Sequence, residues 1–188
     1  FEALGKNGIN ITAIAQGSSE LNISFVIDKK DEAKALNMIH DSFFLSDNRR
    51  VNLFIVGTGL IGSTFLQQLA NQRQQLIDQF KLELNVAGLS NSRKMLLNED
   101  GIDLNGWKTA LDSDGKDADI EAFIASMKEM NLSNSVFIDN TADEHIPGHY
   151  AQILSSNISL VTPNKVATSA SNEEYKRLKK LAADRKIF

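Results

Sequence analysis

Cysteine is absent from this chain of 188 residues, so disulfides, thiolate catalysis and cysteine-based metal sites are excluded. No apolar run approaches the ~20 residues needed to span a bilayer, and no basic-then-apolar segment would serve as a secretory signal. Charge of one sign is not in large excess. The net charge is −4, which argues against nucleic acid or an anionic membrane as the main partner. Repeats and low-complexity tracts are missing, as is any Ser-His-Asp or paired-carboxylate arrangement suited to hydrolysis. His145 and His149 are four apart, but Pro147-Gly148 between them spoils helical geometry and no third ligand is evident, so no metal site is expected. What is present is ordinary globular composition, 42% hydrophobic and 23% charged, and enough length for one domain or one plus a fragment. The cytoplasm is the expected compartment.

Two unlike segments meet near residue 49, which divides the chain into residues 1–48 and 49–188. In the first, Asn10 to Gln16 and Leu21 to Asp28 alternate as half-buried strands around a Gly17-Ser18-Ser19-Glu20 turn. Asp31 to Phe44 then carries Ala33, Ala35, Leu36, Ile39 and Phe43 on one helical face. With a helix end before it, this makes a partial α+β unit. The chain opens at Phe1 inside an apolar pattern and stops at Ile187-Phe188 where a further strand would begin, so a piece of something longer is expected.

The second segment alternates strand and helix. Continuously apolar Asn52 to Val56 suits a strand covered on both faces. The spacing predicts a helix over 60–79, a strand over 82–89, an irregular crossover over 98–119 and a helix over 120–130. It continues with a strand over 135–139, a helix over 144–155 interrupted at Pro147-Gly148, a strand over 158–161 and a helix over 172–185. Such alternation predicts an α/β fold, a Rossmann-type doubly wound parallel sheet with helices on both faces.

Gly57-Thr58-Gly59-Leu60-Ile61-Gly62 follows the first of these strands and opens the first helix. In that setting Gly57 permits the tight turn, Gly59 lets backbone approach a phosphate, and Gly62 lets helix and strand pack closely. The helix N-terminus would then face the pyrophosphate of a nicotinamide dinucleotide. A P-loop is excluded because no Gly-Lys-[ST] is present. Selectivity for NAD commonly places a carboxylate at the end of the second strand, to bond the ribose 2′-hydroxyl. Here Ser90-Asn91-Ser92-Arg93-Lys94 stands instead, with Arg93 and Lys94 able to neutralise a 2′-phosphate, so NADP is expected and NAD is the alternative. A basic loop in solvent explains the same residues equally well. Asp139-Asn140-Thr141-Ala142 and Thr162-Pro163-Asn164-Lys165 fall at the same edge of the sheet, where ligands bind. Asp139 could equally cap the next helix, and Lys165 could be an exposed turn lysine.

These residues also match a known family. AIAQGSSELNISFVID followed by an IH..FF helix resembles the end of the second ACT regulatory domain of aspartokinases. GTGLIG, GLSNSRKML, NGW, FIDNTA and VTPNKVA resemble, in that order, the NADP domain of homoserine dehydrogenase. Their direct fusion resembles the bifunctional aspartokinase/homoserine dehydrogenases of the aspartate-family amino-acid pathway, across essentially the whole chain. The resemblance implies that Gly57 to Gly62 take the pyrophosphate and that Ser90 and Arg93 lie near the adenosine ribose. Thr141 would lie beside the nicotinamide half and Lys165 near its ribose, while Ala142 stands where the family often has serine. It implies an amino-acid effector, commonly threonine, at Asn10, Ile11 and Gln16, and homo-oligomers. The implied chemistry is hydride transfer between NADPH and aspartate semialdehyde, with the proton-transferring lysine and substrate carboxylates lying beyond Phe188, so this polypeptide would bind cofactor without turnover. Another NAD(P)-dependent reductase, or a non-catalytic nucleotide-sensing regulatory module, are the competing readings.

Overall fold

A computed structural model describes residues 1–18, 21–43, 49–166 and 172–188. The chain forms two compact units, Phe1–Ser46 and Asp47–Phe188.

The smaller unit runs from helix α1 (Glu2–Lys6) through strands β1 (Ile11–Gln16) and β2 (Ile23–Ile27) to helix α2 (Glu32–Phe43). The strands pair antiparallel. Asp28 begins the turn into α2 by accepting the Lys30 backbone N–H at 3.0 Å, as short acidic side chains do at helix starts. Leu4, Ile9, Ala35 and Met38 form the core, with Ile11, Phe25, Ile27 and Ile39 packed on it. The buried face of α2 therefore differs from the expected one. Met38 lies inside, whereas Ala33 and Leu36 are exposed. Alternation along β1 does not translate into half-burial either, since Ile14 remains exposed. Phe44 and the end of the 17–20 turn lie outside the described residues.

In the larger unit the chain order is β3 (Arg49–Val56), α3 (Leu60–Phe80), β4 (Leu82–Ser90), β5 (Lys94–Leu97), α4 (Trp107–Asp114), β6 (Lys116–Asp117) and α5 (Ile120–Met130). It ends with β7 (Ser135–Asp139), α6 (Tyr150–Ser155), β8 (Ser159–Val161) and α7 (Asn172–Asp184). The sheet order is β6-β5-β4-β3-β7-β8. β3 pairs parallel with both β4 and β7, and β7 with β8. β5 and β6 instead join antiparallel, so the sheet is mixed rather than all parallel. The 98–119 stretch, expected to be irregular, holds α4 and β6. Its signal was masked by Asp, Asn and Gly, which here form local turns such as Asp100 N–H to Asn98 Oδ1 and Asn105 N–H to Asp103 Oδ1.

β3 shows why both faces are covered. Successive side chains point to opposite sides. Leu53 and Ile55 pack with Leu66, Leu69 and Leu111 from α3 and α4. Phe54 and Val56 pack with Phe123, Met127 and Ile153 from α5 and α6. The outer face of α3 is a polar ladder, with Gln67, Gln74 and Gln75 each bonding the residue four positions on. At the edge of the sheet the Leu160 N–H donates to Phe188 O, beside β8. Among the described residues no helix is long and apolar enough to cross a membrane.

Candidate functional site: the carboxyl edge of the sheet

The parallel strands all end on one side, and β3 stops at Val56 between its two neighbours. The Gly57 N–H donates to Ser90 O at the end of β4, and the Asn140 N–H after β7 donates to Val56 O, each at 2.8 Å. The glycine turn is thus seated on both flanking strands. Gly57 has φ +90, and a Cβ there would lie 2.7 Å from Thr141 Cγ2; a Cβ on Gly62 would lie 1.9 Å from Gly57 O. Both positions require glycine for the turn's own packing.

Gly59 differs. A Cβ there would meet nothing within 4 Å, so no protein contact demands its absence. Gly59 is the N-cap of α3, 21 residues long, and has no side chain to cap the first turn. The first-turn amides therefore point outward as donors, and the dipole favours an anion in front of them. Leu60 and Ile61 are exposed beside it, and Thr58 is half-buried.

On the β4 side the loop is pre-shaped by Asn91, whose Oδ1 accepts the Arg93 and Lys94 backbone N–H groups, each at 2.7 Å. Ser90 is buried and its hydroxyl donates within the loop, to Asn91 O at 3.2 Å. Lys94 does not face this edge. Its ammonium donates to Gly115 O at 3.2 Å and pairs with Asp117 at 3.4 Å, tying β5 to β6. Of the two cations expected to meet a phosphate, Arg93 alone is left exposed at the turn. No carboxylate follows β4 before Glu99.

On the β7 side Asp139 is fully buried, and it does not cap the following helix. Its Oδ1 accepts the Thr141 backbone N–H at 2.8 Å and the Thr141 hydroxyl at 2.6 Å. Its Oδ2 accepts the Tyr150 hydroxyl at 2.5 Å and Asn164 Nδ2 at 3.2 Å. Burial, and then the bond to Asp139, push the Tyr150 phenol far above its ordinary range, so it stays a donor. Asn140 Nδ2 is buried without a partner and lies 3.5 Å from where a Gly62 Cβ would stand. Lys165 is exposed at the mouth of the β8 loop.

The edge thus gathers the glycine turn, Ser90, Arg93, Thr141 and Lys165. Asn10, Ile11 and Gln16 belong to the smaller unit. Asn10 and Gln16 stand at opposite ends of β1, roughly 20 Å apart at ~3.3 Å per residue, and both are exposed while Ile11 packs on the small core. Tyr150 and Asn164 were not singled out as individual residues by the sequence. Their signal was the pairing of β7 with β8, which sets the two following loops side by side.

The turn thus leaves open space at an uncapped helix N-terminus, a setting that favours an anion. Residues 57–187 match the family model of the homoserine dehydrogenase NAD-binding domain. The chain belongs to the homoserine dehydrogenase family. Its residues 1–43 match the ACT domain model, so the partial α+β unit and the dinucleotide fold are fused as in the bifunctional relatives. The bifunctional aspartokinase/homoserine dehydrogenase 2 of Arabidopsis thaliana, described as chloroplastic, is 42% identical over 96% of this chain and 20% of its own length. The bifunctional enzyme of Haemophilus influenzae is 34% identical over 97% of this chain and 22% of its own. The chain thus spans about a fifth of such relatives. Among solved structures, a hyperthermophilic archaeal homoserine dehydrogenase in complex with NADPH superimposes with a TM-score of 0.58 at 19% identity, covering 73% of this chain and 42% of that one. The homoserine dehydrogenase of Thermoplasma acidophilum superimposes with a TM-score of 0.55 at 18% identity, covering 74% of this chain and 42% of that one.

Proposed function

We propose that the carboxyl edge of the larger unit binds NADP, with NAD the weaker ligand, as the cofactor half of a homoserine dehydrogenase. The observation that carries this is Gly59, the one glycine of the turn whose missing side chain leaves room for something outside the protein. The pyrophosphate would lie on the first-turn amides of α3, with Gly57 and Gly62 keeping that turn close to β4 and β7. Arg93 would meet the adenosine 2′-phosphate, where a carboxylate would have repelled it, and a guanidinium suits that anion by its forked donors. The Ser90 loop would border the adenosine ribose. Thr141 and Lys165 would border the nicotinamide half, the ammonium toward its ribose.

When bound, the reduced cofactor supplies a hydride to the carbonyl carbon of aspartate semialdehyde, giving homoserine in the whole protein. In this reading the residues of this chain bind and orient the cofactor, and the chain supplies about a fifth of the length of such relatives. The ACT-like unit, with Asn10, Ile11 and Gln16, is read as part of an amino-acid effector site, threonine being the effector proposed, in a homo-oligomeric parent.

Gly59→Ala tests the main reading. Its Cβ enters empty space at an ordinary φ of −68, so the melting temperature should stay within a few degrees while the NADP+ dissociation constant rises about tenfold or more. Unchanged NADP+ affinity in a folded Gly59→Ala would sink it. Arg93→Ala should weaken NADP+ about tenfold and NAD+ by less than about twofold. Equal losses would remove Arg93 from the selectivity argument. Calorimetric titration of the chain with threonine tests the effector site.

A further inference from the structure

β7 and β8 lie in parallel register, with Ile138 opposite Val161, so the loops after them leave the sheet together. One fully buried carboxylate joins them. Asp139 takes two donors on each oxygen, from Thr141 N–H and O–H on one and from Tyr150 O–H and Asn164 Nδ2 on the other. A carboxylate offers about four lone-pair sites, and all are filled from within the protein. Asp139 therefore has nothing left to offer a ligand and acts through the groups it holds.

Each of those groups reaches one of the two loops. Asn164 donates its second amide hydrogen to Asp143 O at 2.9 Å, and its Oδ1 accepts the Val166 N–H at 3.0 Å. The side chain is thus fully used, and it fixes the backbone on both sides of Lys165. Thr162 Oγ1 donates to the Asp139 carbonyl at 3.0 Å and accepts the Asn164 N–H at 2.9 Å. Thr141, held twice by Asp139, turns its methyl under Gly57. The bonded network runs from Thr141 through Asp139 to Asn164, with the Thr141 methyl as its packing contact to the glycine turn.

None of the groups bonded to the Asp139 side chain is a cation. An asparagine in its place would present an N–H either to the Asn164 amide, whose own Oδ1 is engaged by the Val166 N–H, or, turned the other way, to the Thr141 N–H, so the arrangement specifies a carboxylate and not merely a polar residue. We propose that Asp139 is a positioning residue whose buried carboxylate locks the 140–143 and 162–165 loops into one wall for the nicotinamide half of the dinucleotide. This rests on the cofactor reading above. The adenosine end is shaped by its own bonds, Asn91 Oδ1 accepting the Arg93 and Lys94 N–H groups.

The test titrates the 188-residue chain with NADP+ and, separately, with adenosine 2′,5′-bisphosphate, which carries the 2′-phosphate end without the nicotinamide. Asp139→Asn should raise the NADP+ dissociation constant about tenfold or more and leave that of the bisphosphate within about twofold. Asn164→Asp is the second variant, in case the first does not fold. It sets a second carboxyl against Asp139, faced also by the Tyr150 hydroxyl, the Thr162 hydroxyl and the Asp143 carbonyl, with Lys165 adjacent in the loop. Two carboxyls at that distance share one proton more readily in acid, so its NADP+ affinity should recover as pH falls from about 8 to about 5, a recovery the unaltered chain lacks. Parallel loss of both ligands in either folded variant, loss of neither, or a flat pH profile in Asn164→Asp overturns the positioning role. Failure of the unaltered chain to bind NADP+ at all overturns the cofactor reading instead.

Discussion

The two ends of the six-stranded sheet are both organised by buried polar side chains, in opposite ways. At the amino end the groups are neutral amides. Asn85 Nδ2 donates to Asn52 Oδ1 at 2.9 Å and to Glu99 O at 3.1 Å, Asn52 Nδ2 donates to Ser133 O at 2.7 Å, and Asn134 Nδ2 donates to Arg50 O at 3.0 Å. These bonds close on each other and on the local backbone. At the carboxyl end a carboxylate organises the loops, while the glycine turn leaves helix amides and open space directed outward. The same physical rule bears on both ends: a buried polar group is normally bonded. At the amino end the asparagine amides meet it internally, although Arg50 Nε is buried without a partner; at the carboxyl end Asn140 Nδ2 is buried without one, beside first-turn amides of α3 directed outward where parallel strands end.

Glycine substitutions give the sharpest way to break that contrast. Gly62→Ala forces a Cβ to 1.9 Å from Gly57 O, and Gly101→Ala, at φ +110, forces one to 2.1 Å from Asn85 Oδ1. Each should lower stability by about 3 kcal/mol, read from denaturant unfolding. Only Gly62→Ala should also abolish NADP+ binding; loss of binding by a folded Gly101→Ala would show that the amino end serves the ligand as well.

Asn85→Ala should cost somewhat less, about 2 kcal/mol, by leaving the Asn52 and Glu99 carbonyl oxygens short of a donor. Its NADP+ affinity, measured at a temperature where the variant is folded, should equal that of the unaltered chain.

A smaller effect concerns pH. The Tyr150 phenol is held above its ordinary value by burial and by Asp139, so the unfolded chain ionises it first. The stability it contributes is therefore complete below pH ~10 and is lost as pH rises above that. Tyr150→Phe should flatten the alkaline fall in unfolding free energy above pH ~10 while leaving the acid side unchanged. An identical alkaline slope in the variant would remove Tyr150 from that account.

Much of the larger unit was legible because the patterns there are local. Continuous apolar runs gave β3 and β7, and 3.6-residue spacing gave α3 and α5. The glycine hexapeptide could be placed because it lies between a strand and a helix. In the smaller unit local pattern misled: Leu36 and Ile14 are apolar yet exposed, since burial depends on what packs opposite. Lys94 misled for a related reason. Its charge is plain in the sequence, but the antiparallel return of β5 and β6 turned it toward Asp117.

The sequence by itself determined the α/β alternation, the glycine turn between strand and helix, and the family, because each is written in residues close together along the chain. Only the tertiary structure decided that Gly59 is the glycine of the turn facing open space, that Lys94 is engaged by Asp117 while Arg93 is left exposed, and that Asp139 serves two loops. Those facts depend on groups far apart in sequence, Asp139 and Asn164 being 25 residues apart. They meet because parallel strands carry their following loops to one edge of the sheet, a consequence of strand pairing that no local pattern encodes.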